Sequence, residues 1–231
     1  MNPETKSTKS NMISGVLLVI ALAIGLTGGY LIGQAKKNTT SNTSSQASVA
    51  PRIDTKSADL RVLLSGLEQE HVALATDATR AGFDGTASFK PAAGSLDQNS
   101  HDIANAIGSV YGKDAADKFY QIWNSHIGFF VDYTVAAKTG DKAGMSKAVQ
   151  NLNGYVEAIS TFFSEANPNL PKDAVASLIT THVGLLKAAV DDYGAGDIAG
   201  SFAKEREARS QIGTIADTIS GAIVKQSPNK F

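Results

Sequence analysis

Large apolar residues recur along this chain at alternating steps of three and four, the interval that keeps side chains on one face of an α-helix. The first seam is Leu60, Leu64, Leu67, His71, Leu74 and Ala78, capped upstream by Ser57 or Asp59 and closed around Gly82–Gly85. Leu96, Asn99, Ile103, Ala106 and Val110 form the second, with Pro91 and Gly94 weakening its first half and Gly112 closing it. A third opens at Lys113-Asp114 and runs through Phe119, Ile122, His126, Phe129, Tyr133 and Ala136, with Trp123 alongside. The fourth uses Ala148, Leu152, Tyr155, Ile159 and Phe162 and stops at the Pro168 and Pro171 turn. Val175, Leu178, His182, Leu185 and Ala189 make the fifth, and Ile212, Ile215, Ile219 and Ile223 the last, before Pro228. No stretch alternates with period two. The fold class is all-α: an up-and-down helical bundle of about six helices.

The odd-numbered seams share a signature. Each contains one histidine, and fourteen residues beyond it stands a glycine followed by a residue that can cap a helix: His71 with Gly85-Thr86, His126 with Gly140-Asp141, His182 with Gly196-Asp197. Self-similarity at a spacing of 55 and 56 residues predicts three tandem αα-hairpins, each presenting one histidine inward from its first helix.

Upstream of these seams the pattern changes. Residues 12–33, MISGVLLVIALAIGLTGGYLIG, carry no charge; as a helix they would span about 33 Å, against a hydrocarbon core of about 30 Å. The stretch is longer than the apolar region of a secretory signal, so the expectation is an uncleaved single-pass anchor, with Gly33-Gln34-Ala35 the weak cleavage motif that the alternative would use. Residues 1–11 then form a cytoplasmic tail. Residues 34–56, rich in Ser, Thr and Asn, form a flexible linker, and residues 57–231 are an extracytoplasmic bundle at the cell membrane. Lys6 and Lys9 are matched by Lys36 and Lys37, so charge asymmetry does little to set this orientation. Gly25, Gly29 and Gly33 lie on one face of the anchor, a spacing that admits a homodimer and is also common in membrane helices generally.

From residue 51 onward 17 Lys and Arg stand against 21 Asp and Glu. The absence of a basic stripe argues against nucleic acid as a partner. With no cysteine anywhere, disulfides, thiolate metal sites and thiol nucleophiles are excluded. No Ser-His-Asp set, phosphate loop or paired carboxylates stand out, so the chain is expected not to be an enzyme.

The histidines remain. If the odd helices run parallel, His71, His126 and His182 stand at one level, and three imidazoles suit zinc or copper(II). The alternative is three separate core histidines, each hydrogen-bonded locally. Asn99 and Tyr155 are placed to bond them. A ferritin-like di-iron centre would need Glu-x-x-His repeated; Glu68 precedes His71 correctly, but Trp123 and Ile179 hold the matching positions. His101 has no counterpart in the other repeats and is expected at the surface, as are Asp77 and Asp132.

Taken together, Glu70-His71-Val72-Ala73-Leu74, Ala106–Gly112 (AIGSVYG), Trp123 with His126–Tyr133 (HIGFFVDY), Ala166–Pro171 (ANPNLP), His182-Val183 and the ending Ala222–Gln226 with Phe231 carry a resemblance. The chain, over roughly residues 60–231, resembles a family of bacterial exported helical proteins. Many of them carry the label "copper amine oxidase" although they do not look like that enzyme. The resemblance implies an extracytoplasmic bundle with core histidines and copper handling. Members of the family often carry a His-Met pair in the last helix, where this chain has Gln211-Ile212; Met145 is the only methionine of the bundle. The resulting expectation is a membrane-anchored binding module for copper or zinc, with a structural or protein-interaction bundle lacking any metal as the alternative. Its protein partner, if it has one, is not named by any motif.

Overall fold

The computed structural model describes residues 54–231, which fold into six α-helices. These are α1 (Lys56–Asp84), α2 (Phe89–Tyr111), α3 (Lys113–Thr139), α4 (Lys142–Ala166), α5 (Lys172–Gly194) and α6 (Ile198–Gln226). Among the described residues there is no strand. The expected anchor at 12–33, its glycine face and the cytoplasmic tail lie outside the described residues, as does the linker up to residue 53. One helix among the described residues, α5, is long and apolar enough to cross a membrane by length and composition. It buries Val175, Ile179, Leu186 and Val190 in the bundle core.

Local sequence explains the boundaries. Thr55, rather than Ser57 or Asp59, caps α1: its hydroxyl accepts the Ala58 N–H at 3.1 Å, which starts the helix one residue inside the expected linker. Asp141 and Asp197 cap α4 and α6 by accepting the N–H groups of Gly144 and Gly200. Thr86 does not cap α2, which begins only at Phe89 after a short turn. Nor does Pro91 weaken α2, because it sits in the first turn, where no intrahelical acceptor is available for an N–H. The three signature glycines all adopt left-handed backbone, at φ 71°, 70° and 81°. Behind each, the next N–H returns to a carbonyl five residues earlier: Thr86 to Ala81, Asp141 to Ala136, Asp197 to Asp192. The three turns are therefore the same C-terminal stop made three times.

Connections of one to five residues make each helix antiparallel to the next. The odd helices α1, α3 and α5 all touch one another. Each even helix packs against its two chain neighbours, and α6 returns to α1, closing the ring. The result is an inner triangle of odd helices, with α2, α4 and α6 covering its three sides. Aromatic and aliphatic side chains fill the space between, including Phe119, Trp123, Leu152, Ile159, Phe163, Ile212 and Ile223.

Candidate functional site: a buried imidazole cluster

A histidine fourteen residues ahead of a common helix stop lies about 21 Å from it along the axis. Parallel helices that meet in a triangle therefore bring three such histidines to one level. All three are buried: His71 is 1% exposed, His126 3% and His182 5%. The His71 and His126 rings lie 5.4 Å apart between centroids. His71 also rests against Trp123 at 4.8 Å, and His126 stacks on Tyr155 at 4.5 Å with the planes 20° apart. His182 is close enough to act electrostatically on both other imidazoles.

Hydrogen bonds fix two tautomers. His126 Nδ1 faces the backbone carbonyl of Trp123, one turn back in α3, and must donate to it. His182 Nδ1 lies 3.2 Å from Gln211 Oε1, while the Gln211 amide donates to the Leu178 carbonyl at 2.8 Å. The Gln211 oxygen thus accepts, and His182 Nδ1 donates. In both neutral rings the Nε2 lone pair is left as an acceptor. His182 Nε2 has no partner, and neither nitrogen of His71 has one.

Burial keeps these rings neutral, and the neighbouring imidazoles add to it at His71 and His126. Desolvation lowers His126 to a pKa of about 3 and His182 to about 4. His71 is pushed well below its ordinary value, first by burial and then by the other two imidazoles. Asn99 opposes that shift, although the two side chains stop short of a hydrogen bond. Asn99 instead donates to the Leu67 carbonyl and to Glu70. Tyr155, expected as a hydrogen-bond partner, meets His126 through its ring face.

One further ionisable group belongs to this core, and spacing could have found it. Glu68 stands four residues after Leu64 and three before His71, on the same face of α1, and is 3% exposed. Burial raises its carboxyl to a pKa of about 8, and Oε2 has no partner. Burial pushes the Tyr155 hydroxyl well above its usual value, and Glu68 adds to that electrostatically. The equivalent positions on α3 and α5, Trp123 and Ile179, are both buried, so the centre is asymmetric. A di-iron set of carboxylates does not assemble.

His101, by contrast, is half-exposed, stacks on Tyr120 at 4.2 Å and lies 4.0 Å from Asp97. Asp77 and Asp132 are exposed as expected. Among the described residues, no three His, Asp or Glu side chains already converge so as to hold a metal ion. What the core does supply is neutral imidazole nitrogen and one carboxyl. No soft donor accompanies them, since Met145 packs with the separate small cluster around Tyr133 and Val190. The chain matches no family model, and neither a curated protein nor a solved structure is significantly similar to it.

Proposed function

We propose that this chain is a membrane-anchored, extracytoplasmic, non-enzymatic binding module, its bundle tethered by residues 12–33. In this reading His71, His126 and His182 take up one divalent transition-metal ion, zinc or copper(II). The observation that carries it is the orientation of the rings. His126 and His182 each donate Nδ1–H to a carbonyl oxygen, which leaves Nε2 of each ring as the acceptor, that of His182 buried without a partner, the arrangement that outer partners impose on a metal-binding histidine. Two rings on one tetrahedral ion stand roughly 5 Å apart between centroids at normal metal–nitrogen distances; His71 and His126 are at 5.4 Å. Their low proton affinity removes competition at neutral pH; Glu68, whose buried carboxyl is protonated there, supplies a fourth ligand and a negative charge only by giving up its proton to the metal. All donors are nitrogen or oxygen, which favours copper(II) or zinc over copper(I).

The rival reading is a structural or protein-interaction bundle at the cell envelope with no metal. It is favoured by the lack of any three ligands already converged on a point. Calorimetric titration of the full chain with Zn²⁺ and Cu²⁺ separates the two. One ion per chain at micromolar metal, lost in His126→Ala and in His182→Ala, supports the metal module. No binding at that concentration, with both variants simply less stable, supports the rival.

A further inference from the structure

A second feature adjoins the imidazole cluster and uses none of its nitrogens. An elongated cavity of about 350 Å³ runs from the His71 and His126 rings to the Gly85-Thr86 turn, about 21 Å along α1. Both ring nitrogens of His71 are closed off from it. Phe83, Leu96, Phe130, Leu186 and Val190 are among its walls. The mouth is at the far end, where Gly85, Thr86, Val131 and Val135 line the cavity and are exposed. Its volume falls within the usual range of small-molecule sites.

The polar atoms inside are committed elsewhere. The hydroxyls of Thr76, Thr79 and Thr134 donate to carbonyls of their own helices. Arg80 is paired with Glu205 at 2.9 Å and lies over the Phe202 ring at 4.1 Å, so its charge is already answered. The enclosed part of a ligand therefore has to be hydrocarbon, because a polar group taken inside would lose its water without gaining a partner.

The mouth is different. Ile127, Val131, Val135 and Lys138 follow at steps of four, four and three along one face of α3, so the apolar lining ends in an ammonium. Lys138 Nζ stands over Gly85, where a Cβ built on the glycine would lie 3.4 Å from it. Lys138 is exposed and makes no ion pair among the described residues. Asp84, next in the chain to Gly85, is taken up by the Tyr193 hydroxyl at 2.6 Å. An apolar tunnel with an unanswered positive charge at its mouth complements a hydrocarbon tail that ends in an anion. At roughly 30 Å³ for each water-sized group, the volume holds one tail of about ten carbons and not two.

We infer that this cavity binds one medium-chain fatty acid, its tail inside and its carboxylate at Lys138. The site needs no metal and stands or falls separately from the metal reading.

The test uses the full chain, stripped of metal by chelator and held in phosphatidylcholine nanodiscs, in equilibrium dialysis against radiolabelled decanoate with empty discs subtracted. The expected result is saturable uptake of one decanoate per chain with Kd about 100 μM or tighter. Decyltrimethylammonium, the same tail with the opposite charge, should compete at least tenfold less well. So should didecanoyl phosphatidylglycerol, which carries its anionic head on two such tails. Lys138→Met should weaken decanoate binding about three- to fivefold at low salt, the worth of an exposed ion pair, and the loss should fade at about 0.5 M salt. Lys56→Met, at the other end of α1, should leave binding unchanged. Ala75→Phe and Ala93→Leu, from α1 and α2, each put side-chain volume into the cavity and should lower affinity at least tenfold. Cooperative unfolding serves as the folding check, and Ala93→Leu is the milder change if Ala75→Phe fails it. Wild-type uptake no greater than that of a folded cavity-filled variant would overturn the assignment. Equal competition by either control amphiphile, or a Lys138→Met chain that binds like wild type at low salt, would overturn it too.

Discussion

The proton balance of the buried cluster makes an unusual demand on stability, and Glu68→Gln exposes it. His126 and His182 titrate in the folded protein near 3 and 4, against an ordinary 6.5. Their contribution is complete above pH 6.5 and is lost as pH falls, because only the unfolded chain can bind those protons. At about 1.4 kcal/mol per pH unit, each loses about 2 kcal/mol between pH 7 and pH 5. His71 moves in the same direction. Glu68 has the opposite sign. Its folded pKa of about 8 lies above the ordinary 4.5, so its contribution is complete below 4.5 and is lost as pH rises through 8. Between pH 8 and pH 5 it gains about 4 kcal/mol by the same conversion. The two trends meet in a shallow stability maximum near neutral pH.

Glu68→Gln keeps the shape of the side chain and removes its titration. Urea unfolding of metal-free wild type and variant at pH 5, 7 and 9 reads the difference directly. The stability of wild type relative to the variant should rise by about 4 kcal/mol from pH 9 to pH 5. The variant alone should lose at least about 4 kcal/mol from pH 7 to pH 5, the sum for His126 and His182. A wild-type-minus-variant difference that stays flat over this range would refute the burial of a protonated carboxyl beside the histidines, and with it the account of how this core stays neutral.

Other changes test other links. Gln211→Leu removes the acceptor that fixes His182; it should weaken zinc binding about 10–100-fold in calorimetry, the usual effect of losing an orienting partner. Gly140→Ala meets no atom within 4 Å but forces alanine to φ 70°, a cost of about 1–2 kcal/mol in chemical denaturation. Gly154→Ala, also without a neighbour within 4 Å but inside α4, should instead stabilise by up to about 1 kcal/mol. Arg80→Met leaves Glu205 with Arg209 alone and should lower unfolding free energy by about 2 kcal/mol, less than a full break of a buried pair because one partner remains.

The all-α fold was legible because helix periodicity is a local property, and five of the six seams carry it without interruption. The three helix stops were legible for the same reason, since a left-handed turn needs glycine at a defined place. Errors fell at helix starts: Thr55 rather than Ser57 or Asp59 caps α1, and α2 begins three residues beyond Thr86 with no side-chain cap. Within the core, Glu68 was visible in the sequence only as one half of an incomplete Glu-x-x-His set; its burial follows from the face it shares with Leu64 and His71. Gln211 carried no signal of its own in the helix pattern; its part as the acceptor for His182 depends on α5 and α6 packing side by side. What no local pattern could supply is that the odd helices form the inner triangle. A hexagon of helices can place either alternate set inside, and the choice is made by packing across the whole bundle. Once α1, α3 and α5 are inside, the equal offset of each histidine from its glycine stop leaves the imidazoles no separate levels to occupy. Each ring is then neutral first because it is buried, with the neighbouring imidazoles adding to that at His71 and His126, and that shared burial links the repeat in the sequence to the chemistry at the centre of the fold.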